Sequence, residues 1–298
     1  MLKGCWNIRK KGAQRLTRMK MQLRGENRIG KFRMVAEELT AKLALCAGVE
    51  GIAFIGGLVR GFVDEFSDLD LIVILNKQDE GLRRRIYEIC MDEERGSGIE
   101  PDLMVYSLEN FRKMSLGEPE KWELSKAEVA FDPRGVVKRV LEEKLRSKGS
   151  FWVRRIAICV EYLKWYCCPP RKDVGTVAEA WIVRGDLTSA HYCLSYGVEL
   201  LVKMVFALNR EFLPAPKWRL FYSYSLKWLP EDYESLIKQA FLVNEFSAKE
   251  ADRRLKAIRE LWRGTTFKVE EETRFSLAQL SKYYVEKVLH QRGIPSYR

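Results

Sequence analysis

The hydrophobic period of this chain changes at Pro133-Arg134-Gly135, and this change constrains the fold more than any other sequence feature. Before this point, short apolar runs of the strand type alternate with helical segments, whereas almost no strand signal follows as far as Arg292. Alternating strands and helices form layered α/β or α+β domains, and consecutive amphipathic helices form bundles. The sequence therefore predicts a domain of helices packed on a sheet, followed by an all-α helical bundle domain.

The first half contains four predicted strands and two predicted longer helices. The strands are GIAFIGG at 51–57, LDLIVIL at 69–75, PDLMVYS at 101–107 and AEVAFDP at 127–133. Helical spacing is found over 35–48 and 79–95. Because the first strand closes in two glycines, we expect a tight turn there, with a short helix starting near Leu58.

The second half contains eight segments with a period of 3.6 residues. They are 136–147, 151–166, 173–184, 186–210, 217–228, 231–243, 247–263 and 273–291. Six of their aromatic residues are predicted by their spacing to be mostly in the core: Trp152, Tyr162, Trp165, Trp181, Trp228 and Trp262. No low-complexity linker separates the halves, so we expect them to pack against each other.

Positive charge is concentrated at the N-terminus. Residues 1–34 contain eleven lysines or arginines and one acidic residue, so they carry +10 of the net charge of +11 and the remainder carries +1. We predict a basic arm over 1–34, a first domain over 35–134 and a helical domain over 135–298. The arm is expected to contact RNA or another polyanion, to be a poorly ordered leader, or to be an over-extended start with translation beginning at Met19, Met21 or Met34.

Several classes of protein are excluded or disfavoured. No apolar run approaches the roughly 20 residues that cross a bilayer, and no signal peptide is apparent, so we expect a cytoplasmic protein with no membrane partner. The seven cysteines lack a CxxC pair, which favours buried reduced thiols over a zinc site. With two histidines in the chain, a Ser-His or Cys-His hydrolase is disfavoured.

Asp68 and Asp70 stand two residues apart at the mouth of the second strand, so their side chains share one face. Two carboxylates this close repel each other unless a cation lies between them. Because their donors are oxygens, with no histidine or thiolate nearby, they suit Mg²⁺ or Mn²⁺. The pair therefore indicates a metal site.

A phosphate-binding element precedes this pair. Gly56-Gly57 allows backbone N–H groups to approach phosphate oxygens with no Cβ in the way. Arg60 lies one turn further on and can reach a phosphate. Ser67 is expected either to contact phosphate or to cap the Asp68 backbone. A glycine turn, an arginine and a metal-binding pair together suit a nucleoside triphosphate.

The stretch GGLVRG, followed by FVDEFS and DLDL, resembles the signature of the polymerase-β-like nucleotidyltransferase superfamily. It is most similar to the antibiotic (kanamycin/lincosamide-type) branch, whose members read G-S/G-x-x-R-G and then S-D-x-D-L. The later stretches AEVAFDPRG and ALNREFLPAPKW resemble parts of relatives with a helical C-terminal domain. The resemblance implies an α+β fold with a small mixed β-sheet.

The resemblance also implies a third carboxylate, for which Asp102 fits best and Glu100 competes. It implies that the three aspartates are catalytic and bind two Mg²⁺ ions, with Mn²⁺ as a substitute, and that Gly56, Gly57, Arg60 and Ser67 bind nucleotide. Two departures stand out. Gly57 replaces the phosphate-binding serine of many relatives, and Phe62 replaces a small or hydroxyl-bearing residue.

The implied reaction is transfer of a nucleoside monophosphate, AMP from ATP, to a hydroxyl acceptor with release of pyrophosphate. The acceptor is expected to be a small molecule; a protein or RNA acceptor and a non-catalytic binding module are the alternatives. Glu199 is either the general base or the partner of Lys203 in an ion pair. Lys217, Trp218 and Arg210 either hold the substrate or pack a loop.

Overall fold

The computed structural model describes residues 23–171, 173 and 175–289. Its sheet consists of β1 (Val49–Phe54), β2 (Leu69–Leu75), β3 (Pro101–Ser107) and β4 (Glu128–Phe131) in the order β3-β2-β1-β4. β2 and β3 are parallel, whereas β1 pairs antiparallel with both β2 and β4. The sheet is therefore small and mixed, which confirms the predicted α+β class.

Helices cover both faces of this sheet. The first half forms α1 (Ile29–Ala44), α2 (Gly56–Arg60), α3 (Glu80–Ser97), α4 (Leu108–Lys113) and α5 (Glu118–Leu124). On one face, Leu39 and Ile86 of α1 and α3 pack on alternate strand residues such as Leu71. On the other face, Phe111 of α4 packs with Ile72. Because β2 is buried on both sides, its sequence is apolar throughout, apart from Asp70.

Helix α1 begins at Ile29, five residues before the predicted end of the basic arm, and Phe32 is buried in the core of the first domain. The segment before α1 is also attached to this domain, because the Arg28 N–H donates to the Val63 carbonyl (2.8 Å) and the Asn27 side chain donates to that of Gly61 (3.0 Å). Residues 23–34 are thus part of the folded structure. Residues 1–22 of the predicted arm, including Cys5, lie outside the described residues.

The described residues of the second half form eight α-helices, and a π-helical turn, Val285–Leu289, follows the last of them. They are α6 (Val136–Leu145), α7 (Gly149–Tyr166), α8 (Val177–Arg184), α9 (Leu187–Leu208), α10 (Pro216–Ser223), α11 (Tyr233–Phe241), α12 (Ala248–Thr273) and α13 (Leu277–Tyr284). Val137 and Val140 of α6 pack on the sheet, while Leu145 of the same helix contacts the helical core. Trp122 of α5, in turn, is buried in the helical core. The two halves interlock across the predicted boundary.

Helix α9 is the centre of the bundle. Of the helices in the described ranges, it alone is long and apolar enough to cross a membrane by length and composition, and 72% of its apolar window is buried inside the protein. Asp186 caps it as expected, accepting from the Ser189 N–H (3.0 Å). The apolar character of α9 is accounted for by its position between α7, α8 and α12.

Some predicted details were wrong. α12 extends to Thr273, where the sequence suggested a break after residue 263. Trp165 is 62% exposed, so it is not a core residue, whereas Trp152 and Trp262 are buried. The short helices α4 and α5 were not predicted, and α5 forms part of the site described below. The six described cysteines are free and buried, which confirms that interpretation for them.

Candidate active site

The carboxylates of Asp68, Asp70 and Asp102 form one cluster at the edge of the sheet. Asp70 and Asp102 are register partners on the parallel strands β2 and β3, and Asp68 lies just before β2. One oxygen from each of the three residues lies within 4.8 Å of the others. The structure thus brings Asp102 to the pair. Glu100, its competitor, is exposed and is not a member of this cluster.

Gly56 makes this cluster sterically possible. Its φ of +71° is a backbone conformation that residues with a Cβ rarely adopt, and a Cβ there would lie 1.6 Å from Asp70 Oδ2. The preceding Ile55 N–H donates to the Asp70 carbonyl (3.1 Å), which fixes the turn against β2. The glycine therefore holds the turn directly against the Asp70 carboxylate.

Electrostatics at the cluster favour a cation. Burial, followed by repulsion from Asp68 and Asp102, raises the pKa of Asp70 to about 6, which Arg60 partly offsets. Three carboxylates offer the hard oxygen donors that Mg²⁺, Mn²⁺ and Ca²⁺ prefer. A divalent cation would relieve the repulsion that raises this pKa. The residues present therefore fit a divalent metal.

The cluster opens into a cavity of about 380 Å³, which we call the acidic cavity. It is built from three parts of the chain: the α2 turn and the β2–β3 edge, the segment before α1, and residues of α5 and α10. Its lining is Leu23, Arg24, Gly56, Gly57, Arg60, Phe62, Asp64, Phe66, Ser67, Asp68, Asp70, Asp102, Glu123, Lys217, Trp218 and Tyr222. The helical half therefore supplies one wall of the cavity.

Arg60 lies in this cavity with its side chain largely buried. Its guanidinium pairs with the Glu123 carboxylate (2.5 Å), and its Cζ lies 4.9 Å from the centre of the Trp218 ring and 5.7 Å from that of Trp122. These contacts fix the cation within the cavity. Arg60 can meet a phosphate only by sharing its charge with Glu123 or by exchanging that partner.

Gly57 and Ser67 also line the cavity, where the sequence had placed them. A Cβ on Gly57 would lie 2.9 Å from Val63 Cγ1 and 3.0 Å from the Phe62 carbonyl oxygen, so this turn excludes a serine unless it shifts. The Ser67 hydroxyl donates to the Asp64 carboxylate (2.9 Å) and accepts from the Asp64 N–H (3.0 Å). It therefore caps the Asp64 turn and not the Asp68 backbone.

The other residues singled out in the sequence separate into two groups. Lys217 and Trp218 reach the cavity, whereas Arg210 forms an ion pair with Glu272 (3.3 Å). Glu199 pairs with Lys203 (3.3 Å), as one of the two interpretations had it, and also with Arg219. Arg210 and Glu199 are not in the lining of the acidic cavity.

Sequence reasoning missed Glu123, Tyr222 and Arg24. The signal for Glu123 was present: GEPEKWEL has a proline and acidic residues in its first turn, as the start of a helix requires. Helix α5 has only seven residues, which are too few to show the helical period of 3.6 residues. Tyr222 and Arg24 come from distant parts of the chain, and no local pattern places either beside the aspartates.

The part of the chain that contains the candidate site matches a known domain family. Residues 33–130 match the family model of the nucleotidyltransferase domain. This match spans all three aspartates and the glycine turn, and it supports nucleotidyl transfer as the general function. The antibiotic branch stays a prediction. No curated protein matches this chain.

Among solved structures, the chain is similar to a nucleotidyltransferase-like protein from Exiguobacterium sibiricum 255-15. The two sequences are 11% identical, and the alignment covers 82% of this chain and 77% of the other with a TM-score of 0.39.

Proposed function

We propose that this protein is a Mg²⁺-dependent nucleotidyltransferase that transfers AMP from ATP to a hydroxyl acceptor and releases pyrophosphate. The observation that carries this proposal is the cluster of Asp68, Asp70 and Asp102 against Gly56 in the acidic cavity. An oxygen-only cluster beside an open glycine turn suits a metal-bound triphosphate. The nucleotidyltransferase domain at residues 33–130 is consistent with this chemistry.

Each part of the site has a role in this proposal. Asp68 and Asp70 would hold the metal that meets the triphosphate, and Asp102 would hold or orient a second ion near the acceptor. Bound Mg²⁺, or Mn²⁺ in its place, would neutralise phosphate charge and lower the pKa of the acceptor hydroxyl. Arg60, Lys217 and Arg24 bring positive charge to the cavity, where it would offset the charge of the phosphates.

The transfer balances as an in-line displacement. The acceptor hydroxyl gives its proton to solvent and its oxygen bonds to the α-phosphorus, while the bond from that phosphorus to the bridging oxygen of the β-phosphate breaks and pyrophosphate leaves. Glu123 lies in the same cavity but is paired with Arg60. The Gly56-Gly57 turn has no side-chain cap on its first N–H groups, which leaves backbone donors for phosphate oxygens.

The acceptor is the open part of the proposal. The motif resemblance favours a small molecule, and the alternatives are a protein or RNA acceptor. A non-catalytic module is disfavoured, because a protein without a metal gains nothing from three mutually repelling carboxylates. We also propose that the reaction takes place in the cytoplasm.

The test is to incubate the protein with Mg²⁺, candidate acceptors and ATP labelled on either the α- or the γ-phosphorus. We expect the α-label on the acceptor and the γ-label only in pyrophosphate. The acceptor class follows from whether the α-label is found on protein, on RNA or on a small molecule. Transfer of the γ-label, or no transfer to any acceptor class, would contradict nucleotidyl transfer.

A further inference from the structure

A second cavity, of about 610 Å³, lies between α5, the start of α7 and the end of the described chain. Five cationic residues line it, and we call it the basic cavity: Lys121, Arg146, Lys148, Arg154 and Lys287. Among the described residues, no aspartate or glutamate is part of its lining. A concave surface with charges of one sign concentrates counter-ions of the opposite sign.

Composition does not account for this cluster, because residues 35–298 have a net charge of only +1. Many cations elsewhere have acidic partners, as Lys126 has in Glu211 (3.4 Å). Within the described part of the chain, Lys121, Arg146, Lys148 and Lys287 form no ion pair. Like charges gathered in one cavity repel each other, so an anionic ligand would stabilise the arrangement.

The lining also offers aromatic surface. The rings of Phe151 and Tyr283 face the cavity, and the Lys121 amine lies 5.9 Å from the centre of the Phe151 ring. Phosphate-binding cations interleaved with aromatic rings are typical of surfaces that bind single-stranded nucleic acid.

The two cavities lie on either side of one helix. Lys121 of α5 lines the basic cavity, Glu123 lines the acidic cavity, and Trp122 between them is buried. Residues two apart on a helix point in nearly opposite directions, and an α-helix is about 10–12 Å wide. A strand held in the basic cavity therefore has only a short path around α5 to the aspartates.

We propose that the basic cavity binds the phosphate backbone of a single-stranded RNA and that this RNA is the acceptor. The second clause rests on the proposed function, and it selects the RNA alternative over a small molecule. The binding claim does not need ATP, metal or turnover.

Binding is measured by fluorescence anisotropy with a labelled single-stranded RNA 12-mer, the full-length protein and no Mg²⁺ or ATP, over a range of salt concentrations. The test variant is Arg146→Glu/Lys148→Glu. The control is Lys249→Glu/Lys256→Glu, which makes the same charge change on exposed residues of α12. Residues 1–34 are the same in all three proteins, so any contribution from the arm cancels.

We expect the test variant to bind RNA at least about tenfold more weakly at 0.1 M salt, with the salt slope of log K reduced by about 1.4 for two lost phosphate contacts. The control should bind as the wild-type protein does. Lys287→Glu should show a smaller loss in the same direction. A thermal melt establishes that each variant is folded.

Three outcomes would overturn the proposal: no binding by the wild-type protein, equal losses in test and control variants, or tripolyphosphate binding as tightly as the RNA. Asp70→Asn separates the two claims, because it should bind RNA normally. RNA binding that depends on the basic cavity, without transfer to RNA, would leave the binding site intact and reject the acceptor role.

Discussion

The acidic and basic cavities both gather charges of one sign, but they do so by different means. The aspartates of the acidic cavity are placed by strand register, and the missing Cβ of Gly56 allows the turn to lie against Asp70. The cations of the basic cavity come from the ends of separate helices and are largely solvent-exposed on long side chains. Ligand binding in the acidic cavity should therefore depend on the shape of single residues. Ligand binding in the basic cavity should depend on the number of positive charges.

Each cavity contains like charges whose mutual repulsion a bound ligand of opposite charge would relieve. Repulsion within a cluster is tolerated where a counter-ion relieves it. In the acidic cavity this is visible as the raised pKa of Asp70. In the basic cavity, four of the five cations (Lys121, Arg146, Lys148 and Lys287) form no ion pair with any described residue. The charges themselves therefore suit a cation in the first cavity and an anion in the second.

The largest effect on the acidic cavity is expected from Gly56→Ala. The new Cβ would overlap the Asp70 carboxylate and would also need a left-handed backbone. We expect a loss of about 2–4 kcal/mol in the free energy of unfolding and the loss of Mn²⁺ binding, measured by denaturant titration and electron paramagnetic resonance.

Gly61→Ala is the matched control, because Gly61 has a φ of +87° but open space around its Cβ position. This variant should lower the free energy of unfolding by only about 1 kcal/mol and should still bind Mn²⁺. If the two variants lose equal stability and both bind Mn²⁺, the close contact between Gly56 and Asp70 does not shape the site.

A smaller effect is expected from Asp70→Asn in metal-free buffer. Because the folded-state pKa of Asp70 is about 6 and its ordinary value is 3.8, folding favours the protonated form. This contribution to stability is complete below pH 3.8 and is lost as the pH rises to about 6. At pH 7.5 with EDTA, the variant should be more stable than the wild-type protein by roughly 1 kcal/mol.

Thermal melts at pH 7.5 test this prediction directly. Mg²⁺ should raise the melting temperature of the wild-type protein and leave that of Asp70→Asn nearly unchanged. A variant that is less stable in EDTA would mean that Asp70 is held by attractive contacts and not under repulsion.

The smallest effect is expected from a change at His191, which lies in the helical half and is distant in sequence from the aspartates. His191 is buried, and its Nδ1 lies 2.8 Å from Nη1 of Arg254, which only donates, so Nδ1 must accept. Burial and then Arg254 lower the pKa of His191. Its stabilising contribution is present above the ordinary pKa of about 6.5 and falls as the pH drops through the lowered value.

We therefore expect His191→Gln to flatten the decline in the free energy of unfolding between pH 7.5 and 5. The measurement is the difference between variant and wild-type denaturant titrations across this range, with Mn²⁺ binding unchanged at pH 7.5. Parallel curves would show that His191 does not titrate on unfolding in this range.

The sheet and the aspartates could be predicted from the sequence because their signals are local. β2 and β3 were predicted at their observed bounds, since each is a short apolar run between turns. The helical class of the second half followed from its period of 3.6 residues. The role of Asp186 as the N-cap of α9 followed from its position after Gly185.

The walls of the two cavities could not be predicted, because they depend on contacts between distant residues. Trp218 and Tyr222 meet Arg60 across more than 150 residues, and nothing local joins Lys121 to Lys287. The helix α5, which separates the cavities, is too short to show a period. The side chain of its Trp122 is buried among core residues of the helical half, which are distant in sequence.

The central claim is that the three aspartates hold the metal used in nucleotidyl transfer. The direct measurement compares Mn²⁺ binding and Mg²⁺-dependent release of pyrophosphate from ATP in Asp70→Asn and Glu65→Gln. Glu65 is exposed, lies near Asp68 in sequence and is absent from the cavity lining, so its change alters charge alone. We expect Asp70→Asn to lose Mn²⁺ binding and at least about 10³-fold in rate, with Glu65→Gln close to the wild-type protein. Full metal binding and turnover in Asp70→Asn would contradict the account.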